Sequence, residues 1–151
     1  MRRSSMLATG LIGLAGAAVA CAPGAGKFGV ERSSPGPQHV FVITNCATDT
    51  VIARVVPPRV FVRMQTDSVL WHVAGQTVRI VVEPKTSRWP FDNPAPPHLG
   101  NRSQPANSGP VDPNADIGIA YPYKVTATCE PPDGGDEVTV VIDPDVIITN
   151  E

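Results

Sequence analysis

Few side chains in this chain are equipped for chemistry. Three cysteines (Cys21, Cys46, Cys129) and three histidines (His39, His72, His98) are scattered over 151 residues. Five carboxylates, Asp133, Asp136, Glu137, Asp143 and Asp145, gather toward the C-terminus. Thiolate and imidazole favour soft and borderline transition ions, whereas clustered carboxylates suit calcium. The carboxylates lack the alternating oxygen ligands of a calcium loop, so they read as a solvated turn. No phosphate-cradling glycine loop, CxxC, HExxH or GxSxG occurs. An enzymatic reading therefore has no residue to rest on, and a non-catalytic protein is expected. With a net charge of -2 and no Lys/Arg cluster beyond Arg2-Arg3, nucleic acid is not an expected partner.

These residues must be positioned by short strands. Ser68–Glu83 (SVLWHVAGQTVRIVVE) holds two runs of period-two alternation around Ala74-Gly75-Gln76, which reads as a β-hairpin. Trp71 brings the largest apolar area to whatever its face covers. Upstream, His39–Thr44 and Val51–Val56 read as strands around a turn at 45–49, and Pro57-Pro58 stops the second. Arg59–Gln65 alternates again, with Val60 and Val62 on one face. Downstream, Ile117–Cys129 puts Tyr123, Val125, Ala127 and Cys129 on one face, and Glu137–Asp143 and Val146–Thr149 follow. About seven or eight short strands with no helical period predict an all-β antiparallel sandwich or barrel.

Between them, residues 84–118 hold eight of the 17 prolines and show no period. A loop this long inside a compact domain is commonly functional or mobile. Its Trp89-Pro90-Phe91 knot has two readings: the rings cap one end of the core, or they form an exposed patch for a protein partner.

The N-terminus carries an address. Met1–Ser5 is basic, and Met6–Ala20 is apolar and uncharged but too short to span a bilayer comfortably. It ends in Ala18-Val19-Ala20-Cys21, which resembles the lipobox of bacterial lipoproteins, although Ala18 stands where leucine is commonest. That resemblance implies a signal peptide over 1–20, lipidation of Cys21, and a domain held at a membrane of the cell envelope by acyl chains. An ordinary signal cleaved near Ala20 is the other reading. Residues 22–38, rich in Pro, Gly and Ser, read as a flexible tether, and the folded body is expected over 39–151. With Cys21 lipidated, Cys46 and Cys129 remain as an even pair in an oxidising compartment. They are expected either to form a disulfide closing a loop of roughly 80 residues or to stay buried and unpaired.

Several stretches together resemble the cupredoxin-like domains of bacterial envelope proteins: Val69-Leu70-Trp71, Val78–Val82, Pro90-Phe91, Ser108–Val111, Tyr123–Thr126 and Ile142–Ile148. The resemblance covers about 39–150 and implies an antiparallel Greek-key β-sandwich. Copper-binding members need an upstream histidine and a late Cys, His and Met together. Here Cys129 is followed by Glu130–Gly135, with no histidine after His98 and no methionine after Met64. No cofactor is therefore expected. The main expectation is a lipid-anchored, non-catalytic binding or interaction module, with an envelope protein as partner. The alternative is a copper electron carrier using His72, His98 and Cys129.

Overall fold

The computed structural model describes residues 36–47, 50–91 and 94–150. The expected signal peptide, the lipobox with Cys21 and most of the tether lie outside the described residues.

Among the described residues the fold is all-β, without helix, and its ten strands form two mixed sheets. The strands are β1 (Gln38–Ala47), β2 (Thr50–Val56), β3 (Arg59–Arg63), β4 (Ser68–Gly75) and β5 (Thr77–Pro84). They continue with β6 (His98–Asn101), β7 (Ala106–Pro110), β8 (Ala120–Cys129), β9 (Val138–Ile142) and β10 (Asp145–Thr149). The smaller sheet runs β2-β1-β4-β7, and the larger runs β3-β10-β8-β5-β6 with β9 also paired to β8. Two pairings are parallel, β1 with β4 and β3 with β10. β10 meets β8 at Ala120–Pro122, and β9 meets it at Val125–Cys129.

Alternation places the core. Val40 and Val42 of β1 and Val69 and Trp71 of β4 turn inward from the smaller sheet. Ile80 and Val82 of β5, Tyr123 and Val125 of β8, and Val146 and Ile148 of β10 belong to the same buried cluster. Trp71 is wholly buried, and its indole N–H donates to the Tyr123 hydroxyl at 3.2 Å. A buried aromatic therefore brings a polar handle that finds its partner inside the core.

Three expectations need correction. First, β4 and β5 are consecutive but do not form a hairpin: β4 pairs with β1 and β7, and β5 with β6 and β8. Gly75-Gln76 is a crossover from one sheet to the other. Gly75 has φ +63°, and a Cβ there would stand 2.6 Å from the Thr44 carbonyl oxygen, so the crossover requires glycine. Second, there are ten strands rather than seven or eight, because the Pro-rich stretch 84–118 contains β6 and β7. Third, β1 runs on through Cys46 and Ala47, where a turn is expected, because β2 continues to pair with it there.

Two polar anchors fix the ends of β1. At its start, the buried Asp67 carboxylate accepts from the backbone N–H of Gly36 (3.0 Å) and of Arg63 (3.0 Å). It also accepts from the Arg63 guanidinium (3.2 Å), the Thr66 hydroxyl (3.2 Å) and the Gln38 amide (3.3 Å). Burial alone would raise this carboxyl's pKa, but these donors outweigh burial and hold it below the usual carboxylate value. At its far end, the Thr77 hydroxyl accepts from the Thr44 N–H (3.1 Å), meets the Thr44 hydroxyl (3.0 Å) and donates to the Val42 carbonyl (3.2 Å). Cys46 forms a disulfide with Cys129 across the two sheets, with Cα atoms 6.4 Å apart and a sequence separation of 83.

Candidate functional site

The outward face of the smaller sheet is the best candidate. Because side chains alternate, burying Val40, Val42 and Thr44 turns His39, Phe41, Ile43 and Asn45 outward. Register then assembles rows across strands. Phe41 lies between Val56 and His72, Ile43 between Arg54 and Ala74, and Asn45 opposite Ile52. His39 lies beside Leu70, which opposes Asn107 on β7. Phe41, Ile52 and Val56 are 44, 61 and 42 % exposed.

At one end of this face a cavity of about 450 Å³ is lined by Ile43, Asn45, Ile52 and Arg54, together with Thr44, Gly75 and Gln76 at the crossover. Among the described residues no carboxylate pairs with Arg54. The groove therefore presents apolar walls, two amides and one cation. That combination suits a ligand with an apolar body and an acidic group.

At the other end the two imidazoles meet. His39 Nδ1 lies 2.8 Å from His72 Nε2, with ring centroids 5.0 Å apart. Phe41 also stacks on His72 at 5.2 Å. Burial, and then the neighbouring His39, lower the His72 pKa. Parallel pairing of β1 with β4 creates this contact. The histidines are 33 positions apart in sequence. The findable signal was the shared outward parity of His39 and His72, once the two strands are known to be neighbours.

The other singled-out residues fall elsewhere. His98 is buried, and its ring stacks on Trp71 at 5.8 Å. Its Nε2 accepts from the Trp89 indole N–H at 3.3 Å, so the proton of the neutral ring sits on Nδ1, which has no partner among the described residues. Burial lowers its pKa. Cys129 is bonded to Cys46. The structure therefore does not bring His72, His98 and a free Cys129 thiolate together, and the copper constellation expected as an alternative is not assembled. Phe91 is wholly buried and Trp89 packs edge-on against it at 5.4 Å. Phe91 and Trp89 thus pack on the core rather than forming the exposed patch offered as one reading of the knot, whereas Leu99 and Ile117 of the same stretch are exposed.

Over the larger sheet the outward face is built differently. Arg79–Glu137 (2.6 Å), Lys124–Glu83 (2.9 Å) and Lys85–Asp143 (2.8 Å) form ion pairs across it, with Leu99, Val141 and, on the edge strand β3, Phe61 as separate exposed apolar residues. Each cation there has its anion, and the face reads as a solvated surface.

Compared with family models, curated proteins and solved structures, the chain matches none. Its function must be argued from its own geometry.

Proposed function

We propose that this chain is a lipid-anchored, non-catalytic binding module of the bacterial cell envelope, folded as a cupredoxin-like Greek-key β-sandwich. The two-sheet all-β arrangement supports the fold reading. The basic start, the apolar run and Ala18-Val19-Ala20-Cys21 support export and acylation at Cys21. The observation that carries the binding role is the outward face of the smaller sheet, where Phe41, Ile43, Ile52 and Val56 surround Arg54. Its partner is an envelope protein segment with apolar side chains and a carboxylate, because the face offers apolar area and one cation.

Two experiments test the two halves of this reading. Cys21→Ser should move the protein from the membrane fraction to the soluble exported fraction, and unchanged membrane retention would remove the anchor. A photo-crosslinking residue at Ile52 in living cells should give adducts whose partner peptide contains Asp or Glu beside apolar residues. Arg54→Glu should abolish them, and the same probe at Val141 should give none. Equal crosslinking from Ile52 and Val141 would overturn the binding face.

A further inference from the structure

We infer that His39 and His72 form an open di-imidazole site for a borderline divalent transition ion such as Zn²⁺ or Cu²⁺. Two imidazole nitrogens bound to one such ion at about 2.0–2.1 Å, at right or tetrahedral angles, stand about 2.9–3.4 Å apart. His39 Nδ1 and His72 Nε2 already stand 2.8 Å apart as a hydrogen-bonded pair; on binding, the proton between them moves to the donor ring's other nitrogen, and rotation of the rings turns both lone pairs to one ion. The scaffold holds this spacing. Both residues sit inside strands, diagonally across a continuous parallel ladder from Gln38–Val69 to Thr44–Gly75, two register steps apart on its outward face. Phe41 stacks on His72 and limits its ring, which reduces the ordering cost of binding.

The donor set selects the ion. Imidazole suits zinc, copper and nickel, whereas calcium and magnesium require several oxygens that no neighbouring side chain supplies among the described residues. Two protein ligands leave the remaining positions to water or to a donor from another molecule. The site lies on the outward face and uses neither Cys129 nor His98. It is independent of the partner-binding reading, because it needs neither Arg54 nor the groove beside it.

The test is clean because the chain has three histidines and His98 is buried in the core. The full untagged chain carrying Cys21→Ser leaves no free thiol beside the Cys46–Cys129 bridge. Titration calorimetry with ZnCl₂ should give one ion per chain. His39→Gln and His72→Gln should each weaken binding at least tenfold, and Cu²⁺ should show an electron paramagnetic resonance spectrum with two equivalent nitrogens that falls to one in either variant. Val141→Ser, on the other sheet, should leave the affinity unchanged. Circular-dichroism melting of both His variants should match the parent, since the two side chains lie outside the core. A stoichiometry below one half, affinity unchanged in His39→Gln, or a copper spectrum unaltered by either substitution would overturn the site.

Discussion

The two ends of β1 are held by different chemistry. Its start hangs on the Asp67 carboxylate, which gathers Gly36, Gln38 and Arg63 around one buried negative charge. Its far end is held by a neutral hydroxyl pair, Thr44–Thr77, and by a covalent bond, Cys46–Cys129. The first anchor answers to protons and the second to reductant. One strand thus carries two independent sensitivities, one at each end.

The largest effect expected is at the covalent end. Closing a loop of 83 residues limits the unfolded chain, so Cys46→Ser with Cys129→Ser should lower stability by up to about 4.5 kcal/mol. Urea unfolding with and without reductant measures this, and the double variant should have lost all response to reductant.

Next is the charged end. Asp67→Ala leaves the largely buried Arg63 guanidinium without its partner, and should cost about 3 kcal/mol. Because the folded carboxyl titrates below its ordinary 3.8, its contribution is complete above that value and disappears as pH falls through the lower folded value. Urea midpoints from pH 6 to 2 should therefore fall steeply below about pH 4 in the parent and less steeply in Asp67→Asn. An equally steep acid loss in Asp67→Asn would break the contrast between the two ends.

His98 sharpens the same titration. Its folded pKa lies below the ordinary 6.5, so the unfolded state takes up the proton first. Stability should decline as pH drops below 6.5, well before the Asp67 step, because burial penalises the charged ring in the folded state. His98→Gln should remove that earlier decline, and a flat midpoint from pH 7 to 5 in the parent would refute it.

Smaller again is Gly75→Ala. A Cβ pressed against the Thr44 carbonyl in a left-handed conformation should cost about 1–3 kcal/mol, read as a shift in the urea midpoint. The smallest effect belongs to the middle of the strand: Phe41→Ser should change stability by less than about 0.5 kcal/mol while improving solubility at high concentration. A large destabilisation would mean that Phe41 serves the fold rather than the binding face.

The inward faces were legible wherever alternation was long. Val60 and Val62, Val69 and Trp71, and Tyr123, Val125 and Ala127 are buried as their parity requires. Pairing was not legible. A period of two is the same whether the next strand folds back beside its predecessor or crosses to the other sheet, so Gly75-Gln76 gave no sign that β4 and β5 part company. β6 and β7 escaped notice because strands of four and five residues among prolines and glycines have too few positions to show a period. The candidate face was hidden for a related reason. Phe41, Arg54 and His72 become neighbours only through the ladders that join β1 to β2 and β4.

The parallel pairing of β3 with β10 has a consequence for how the molecule comes into being. β3 has no other strand neighbour in its sheet, and its register joins Arg59 to Asp145, 86 positions later. A ribosome delivers residues in order, so β3 emerges early and waits, its Val60 and Val62 still wet, until residues 145–149 arrive. Contacts this distant in sequence are slow to form. The larger sheet closes only when nearly all of the described chain has been released.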